Sequence, residues 1–555
     1  MAMRRFKFGL LGSALAVALL VVGVIAITST RGSAQAATAD PPACSPNTDI
    51  QTTYGPICGT TANGINEWFG IPYAAPPVGS LRWQPPQAPT AWTTTLAATS
   101  FGSECIQGTA ASPAGSEDCL YLNVWRPADS STGLPVLVHI HGGGFFNGSG
   151  NGDNSLLVAR GHQVVVSMNY RLNIFGFLAD RTLGDHSGDY GLQDQQAALR
   201  WVQSNIAAFG GDPGSVTIYG ESAGGSSVCD QIASPTAKGL FERGISVSGE
   251  YNTLLGTQEQ APRTPEDLES QDCKSALPTQ AEANAAGRNF AAAVGCGPGT
   301  ADVVACLQAL PPDVIEKAAW TPGSGYQYGG QGTVAPTING TTLTMSLRQA
   351  LKAGKVNHVR VIAGTDRDED LVGTATSAAQ YQSLVDTQYG SHASQVLAKY
   401  PLSRFDSPGI AWRTVAADSD TVCPSLQTDR DLASRMPTYG YEIDDNDIPP
   451  YTPAGPGVVA PGASHVGAWF LTPTATPLDA NQQVLQDQEL AFVTAFSRTG
   501  NPNSNGLLPV WPKFDPSNNP AEMSLQPAGD SEVVTAAEVA AQHNCAFWDK
   551  LAPNP

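Results

Sequence analysis

The stretch Ser215-Val216-Thr217-Ile218-Tyr219-Gly220-Glu221-Ser222-Ala223-Gly224-Gly225 decides how the rest of the chain is read. Its first five residues have the β-branched, apolar character of a buried strand. The run that follows, Ala223 to Ile232 (A-G-G-S-S-V-C-D-Q-I), is compatible with a helix. Between them stands a G-x-S-x-G, whose small flanking residues let the chain turn sharply and lift the Ser222 hydroxyl above a sheet. A chance G-x-S-x-G has neither the strand before it nor the helix after it, so Ser222 is the candidate nucleophile.

About 80 residues upstream, the strand-like run Pro135 to His141 leads into His141-Gly142-Gly143-Gly144-Phe145. Glycines at such a point let backbone N–H groups converge on a developing oxyanion, where side chains would be in the way. More buried strands are expected at Gln163–Asn169, Gly244–Val247 and His358–Ala363, with a looser one at Thr438–Ile443. Runs apolar on both faces suit a mostly parallel sheet covered on both sides. Helices are expected over Leu192–Phe209, with Leu199, Val202, Ile206 and Phe209 on one stripe, and over Gln486–Arg498. The fold class is therefore α/β, a doubly wound sheet with large excursions. The Ala-rich segment from Tyr251 to Asn357 reads as a helical insertion, a lid over the sheet edge.

The 555-residue chain carries 49 acidic against 29 basic side chains, a net charge of −20 and a pI near 4.7. Such a surface repels phosphate backbones and excludes nucleic acid as a partner class. At its start, Arg4, Arg5 and Lys7 precede an apolar run from Phe8 to Ile27, then small residues that offer cleavage after Ala36 or Ala39. This reads as a signal peptide over residues 1–39 and a secreted catalytic domain over 40–555, with no stable membrane insertion once the signal is removed. The alternative is an uncleaved anchor holding the protein outside the cytoplasm. Ten cysteines suit that compartment. Cys105/Cys119 and Cys296/Cys306 are close in sequence, and Cys44/Cys58 form a third plausible pair. Cys229, Cys273, Cys423 and Cys545 have no connectivity readable from spacing. There is no C-x-x-C, and no histidine shows metal-ligand spacing, so no metal or cofactor is expected.

At this density of motifs a resemblance becomes specific. Phe209 to Gly225 (F-G-G-D-P-G-S-V-T-I-Y-G-E-S-A-G-G) resembles the serine signature of type-B carboxylesterases, the cholinesterase-like branch of the α/β-hydrolases. Glu117 to Trp125 (E-D-C-L-Y-L-N-V-W) resembles that family's second signature. Gly70–Trp83, Asn169–Leu178 and Tyr190–Val202 are similar to further family segments. The resemblance runs from about residue 50 to the C-terminus, dense before Gly249 and thin in the insertion. It implies an α/β-hydrolase fold and a serine hydrolase that cleaves small-molecule carboxylic esters without a cofactor.

The resemblance also implies roles by position. Ser222 would be the nucleophile, and Gly143, Gly144 and Ala223 the oxyanion-hole donors. Cys105–Cys119 and Cys296–Cys306 would be the family's two recurring disulfides. Arg82 with Glu117, and Arg171 with Asp194, would be its buried ion pairs. The loop Ile106–Asp118 has no tryptophan, where a cholinesterase places its choline-binding ring. That departure argues against choline esters, not against ester hydrolysis.

A general base is needed because a serine hydroxyl is a poor nucleophile at neutral pH. His465, in P-G-A-S-H-V-G-A-W-F, resembles the family's G-x-x-H before an aromatic. His139 and His141 read as scaffold, and His162, His186, His358, His392 and His543 as surface histidines. The acid follows the strand at His358–Gly364, where Asp366, Asp368, Glu369 and Asp370 crowd together. The family pattern G-x-x-x-D-E-G maps its triad acid to Glu369, with Asp370 in place of the family glycine and Asp366 and Asp368 as alternatives. Two rival functions share these residues in whole or part: a lipase or polyester hydrolase with the same triad, and a non-catalytic cholinesterase-like binding module. Modules of the second kind typically replace the serine or the histidine, and both stand here.

Overall fold

The apolar runs form the middle of an eleven-stranded sheet. Its strands in chain order are β1 (Thr60–Ala62), β2 (Ile65–Pro72), β3 (Tyr121–Pro127), β4 (Leu134–Ile140), β5 (Val164–Met168), β6 (Gly211–Glu221), β7 (Arg243–Val247), β8 (Arg360–Asp366), β9 (Thr438–Ile443), β10 (Ala521–Leu525) and β11 (Glu532–Thr535). The computed structural model describes residues 43–109, 112–250, 273, 277–319, 336–369, 375–445, 471, 477–504, 506 and 509–551. The expected signal segment, most of residues 251–276 and 320–335 of the insertion, Asp370 and His465 lie outside the described residues.

The spatial order is β11-β10-β9-β8-β7-β6-β4-β5-β3-β2-β1. Strands β4 to β10 pair in parallel, and antiparallel strands close both edges. Alternation along β4 sends Val136, Val138 and Ile140 into the core on one face and Leu137 into the core on the other. Neither face is wet, which is why the strand reads as one unbroken apolar run. The helix α1 (Tyr190–Asn205) stops earlier than the stripe suggested, because Ile206–Phe209 tightens into a 3-10 turn and Gly210 caps it at φ 79°. Ile206 and Phe209 are nonetheless fully buried. The helix α2 (Ala223–Ala233) is buried along its whole length beneath the sheet's carboxyl edge, and α3 (Ala480–Thr499) covers the opposite face. Described parts of the insertion are helical, at Gln280–Ala293, Val303–Ala309, Pro312–Ala319 and Leu347–Ala353.

Five disulfides tie loops to this frame: Cys44–Cys58, Cys105–Cys119, Cys229–Cys273, Cys296–Cys306 and Cys423–Cys545. The two pairings that sequence left open, Cys229–Cys273 and Cys423–Cys545, span 44 and 122 residues. Arg82 grips Glu117 through two bonds of 2.5 and 2.6 Å. Its remaining nitrogen donates to the carbonyls of Leu307, Gln308 and Leu310. One guanidinium therefore joins the Cys105–Cys119 loop to the end of the helix Val303–Ala309 that carries Cys306. Arg171 donates to both oxygens of Asp194 at 2.7 and 2.8 Å, and its backbone N–H adds a third bond at 3.1 Å.

His543 is not a surface histidine. It is buried at the end of the helix Ala536–Gln542, with Nδ1 2.6 Å from Asp418 and Nε2 3.0 Å from Glu442. Burial alone would lower its pKa, but the two carboxylates overcome that and push it up to about 10.

Arg171 and Asp194 are buried together, so removing one leaves an unpaired charge in the core. Arg171→Met should destabilise the protein by about 3–5 kcal/mol in urea unfolding, by the same principle. Arg171→Met with Asp194→Leu should recover part of that loss. A neutral single variant would show that the pair is solvated rather than buried.

Candidate active site

Adjacent parallel strands β4 and β6 end level with each other, Gly220 standing opposite Ile140. The glycine loop after β4 therefore lies beside the turn after β6. This is where the strand order reverses around β4, the place at which open α/β sheets leave a crevice at their carboxyl ends. Ser222 sits on that turn at φ 55°, ψ −125°, as the residue before α2. A non-glycine residue there is strained, by about 1–3 kcal/mol in general. The surroundings hold it: its N–H donates to Val247 O at 2.9 Å, and its carbonyl accepts from Ser226 N at 2.9 Å.

The turn needs glycine at two points because strand and helix touch there. A Cβ on Gly220 would stand 2.4 Å from the Gly224 carbonyl carbon, and one on Gly224 would stand 2.1 Å from Ile140 O. On the other side Gly142 abuts the serine, its Cβ position 3.2 Å from Ser222 Cβ and 2.5 Å from Glu221 O. Gly143 and Gly144 follow with φ of 99° and 62°, and Gly143 O accepts from Phe146 and Asn147 N–H groups. The loop thus curls over the serine with its carbonyl turned into a local turn. Ala223 opens α2, where first-turn N–H groups have no helical acceptor. The structure brings Ser222, the three-glycine loop and Ala223 to one spot.

His139 and His141 frame this spot without titrating near neutrality. Burial lowers them to about 3 and about 4. His139 stacks on Tyr219 at 4.6 Å and His141 on Tyr170 at 4.3 Å. His141 Nδ1 lies 2.8 Å from Gly142 O. Both are packing elements, His139 within β4 and His141 just past its end.

The acidic cluster after β8 separates by direction. Asp368 pairs with Arg367, Nε to Oδ2 at 2.6 Å, and Arg367 also holds Asp444. Asp366 is fully buried at the end of β8. Glu369 is 2% exposed and accepts from Thr365 Oγ1 through Oε2 at 2.6 Å. Ser248 Oγ lies 3.5 Å from the same Thr365 oxygen, and Ser248 N–H donates to Gly364 O. The carboxyl ends of β6, β7 and β8 are therefore linked in series, from Ser222 through Val247 and Ser248 to Thr365 and Glu369.

Glu221 and Thr365 are groups to which the sequence reading gave no role. Glu221 lies next to the serine, and its Oε1 is shielded from water with no hydrogen-bond partner among the described residues. Removal from water, with Glu369 adding repulsion, pushes its pKa up to about 8. The only signal for it in the sequence is its place inside G-x-S-x-G. Among the described residues, one group could suggest a metal, Cys229, Glu250 and Cys273, but its two sulfurs are joined in a disulfide.

The chain matches the family model described as the carboxylesterase family over residues 46–548. It is 33% identical over 489 residues to the para-nitrobenzyl esterase of Bacillus subtilis (strain 168), covering 84% of this chain and 92% of that protein. It is 30% identical over 550 residues to the cocaine esterase of Homo sapiens, covering 91% of each. Among solved structures a PNB esterase superposes with a TM-score of 0.71 at 27% identity, covering 89% of this chain and 99% of that one.

The raised Glu221 carboxyl has a consequence for stability. Between its unfolded value near 4.5 and its folded value of about 8, the unfolded chain ionises while the folded protein keeps the proton. The folded state binds more protons in that window, so stability falls as pH rises through it. Glu221→Gln should flatten this slope and be more stable than the parent at pH 8. Urea unfolding at pH 5 and pH 8 checks it, and an unchanged slope would refute it.

Proposed function

The chain belongs to the carboxylesterase family and is a carboxylic-ester hydrolase, and from that premise we propose that it works through an acyl-enzyme on Ser222, outside the cytoplasm. One observation carries the mechanism: Ser222 is held in a strained conformation on the strand-to-helix turn, against the glycine loop. In this reading Ser222 Oγ attacks the ester carbonyl and His465 takes its proton. Negative charge gathers on the carbonyl oxygen, facing the N–H groups of Gly143, Gly144 and Ala223. Collapse breaks the ester bond, and His465 hands the proton to the departing alkoxide. Water then repeats the sequence, releasing the acid and restoring the serine. Glu369 orients His465 and balances the imidazolium. Its burial beside Thr365 supports this choice over Asp368, which is engaged with Arg367.

The five disulfides fit an oxidising compartment. Among the described residues no helix is long and apolar enough to cross a membrane. The disulfides support export, which we assign to residues 1–39, with residues 40–555 read as the catalytic body and 251–357 as the cover of the site. A relative named para-nitrobenzyl esterase points to small esters with an aromatic alcohol as the first substrates to try.

An organophosphonate should label Ser222 stoichiometrically and abolish turnover of p-nitrophenyl esters. The intact mass of the exported, labelled protein also reads its N-terminus, expected at Ala37 or Asp40. Ser222→Ala should lower kcat by roughly 10⁴–10⁶, as in other serine triads. Retention of more than a trace of activity would defeat the mechanism.

A further inference from the structure

Two acidic side chains sit at the carboxyl edge of the sheet with opposite requirements. Glu369, on the reading above, must stay ionised to serve the imidazole. Glu221 lies close enough for the two charges to repel, and among the described residues no lysine or arginine acts on it. Two carboxyls in one dry site do not both ionise readily, so something must decide which keeps the charge.

The groups facing Glu369 identify that element. Among the described residues Glu221 approaches it from the end of β6, Thr365 from β8 and Tyr441 from β9, while Asp366 of β8 acts on Tyr441 and Ser248 at the end of β7 touches Thr365. Glu221, Asp366 and Tyr441 are acids, and any of them, once ionised, would raise the cost of a charge on Glu369. Thr365 is different. Its hydroxyl has one proton, given to Glu369 Oε2 at 2.6 Å, a short donation of the kind made to a charged acceptor. With that proton committed, the 3.5 Å contact with Ser248 Oγ leaves Thr365 the acceptor and Ser248 the donor. The hydroxyl thus has one orientation, and β8 holds it rigidly: Thr365 is 2% exposed and registered opposite Glu442 of β9. Glu221 Oε1 has no comparable donor among the described residues.

We infer that Thr365 is a positioning residue for the ester hydrolysis, its hydroxyl fixing the Glu369 carboxylate and selecting it, rather than Glu221, as the ionised member of the pair. The inference rests on the reading of Glu369 as the triad acid. It adds that the strand preceding the acid supplies a dedicated donor. A hydrogen bond to the charged form favours that form. Without it the carboxylate is protonated more easily, or binds the imidazolium proton more tightly. Both effects move the acid limb of the rate profile to higher pH.

The test compares Thr365→Val, Thr365→Ser and Glu369→Gln in the full exported protein, with kcat and KM for one p-nitrophenyl ester from pH 5 to pH 9. Thr365→Val should lower kcat by about tenfold, the scale of one hydrogen bond to a charged group, with KM little changed. Its acid limb should move to higher pH. Thr365→Ser restores the hydroxyl and should recover both kcat and the limb, which a purely structural role of the methyl group would not allow. Should Thr365→Val fail to fold, Thr365→Ala against Thr365→Ser makes the same comparison. An unchanged profile in Thr365→Val, or no recovery in Thr365→Ser, overturns the inference. Glu369→Gln separates the two levels: if it loses orders of magnitude while Thr365→Val is silent, only the inference fails. If Glu369→Gln keeps full activity, the assignment of the acid fails with it.

Discussion

The backbone contact between Gly224 and the Ile140 carbonyl is what the rest of the site depends on. At 2.1 Å from an imagined Cβ to that oxygen, helix α2 packs against the end of β4 as closely as backbone allows. The close approach forces the chain to reverse within Gly220–Gly224, and the reversal drives Ser222 into its strained conformation. The same contact carries the glycine loop after β4 to within a side chain's width of the serine. The proposed nucleophile and its proposed backbone donors thus trace to one packing event. The strain is small against the surrounding core, where α2 is buried throughout, β4 nearly so and β6 over Val216–Gly220.

Charge is the second constraint. The chain has few cations and places two of them, Arg82 and Arg171, in buried bidentate pairs that hold loops around the site. Among the described residues, some buried acids have no cation acting on them. Asp189 is pushed up to about 8 by burial, and Asp230, near it, rises well above the ordinary carboxyl range. Such groups stay protonated near neutrality instead of ionising. Glu221 belongs with them, which leaves the site with a neutral acid beside the serine and room for one carboxylate. At the far edge His543 does the reverse, staying charged between Asp418 and Glu442. Each of these groups binds its proton more tightly in the folded state, so its contribution to stability falls as pH rises.

The central strands were legible because they are buried on both faces, and continuous apolar runs such as Val164–Met168 have few other readings. Antiparallel strands β2 and β3 at one edge were not read as strands. A register shift between Trp68 and Ile71 breaks the pattern of β2. The strands β10 and β11 are only five and four residues long, too short for alternation to give much signal. The elbow and the glycine loop were legible because their chemistry demands glycine at fixed positions. Cys229–Cys273 and Cys423–Cys545 were not, since pairing across 44 or 122 residues depends on tertiary placement. His543 was misread for the same reason: its neighbours in sequence are polar, whereas its burial comes from Asp418 and Glu442, far along the chain. Thr365 has no sequence signature at all, because one hydroxyl at a strand end gains meaning only from the carboxylate above it.

The central claim is that one packed turn aligns the serine with the backbone donors. It is tested most directly by a crystal structure of the protein inhibited by an organophosphonate. The account predicts a covalent bond from Ser222 Oγ to phosphorus and a phosphonyl oxygen within hydrogen-bond reach of the N–H groups of Gly143, Gly144 and Ala223. The His465 ring should lie between the adduct and Glu369. A phosphonyl oxygen turned away from the glycine loop, or an adduct on another residue, would contradict it.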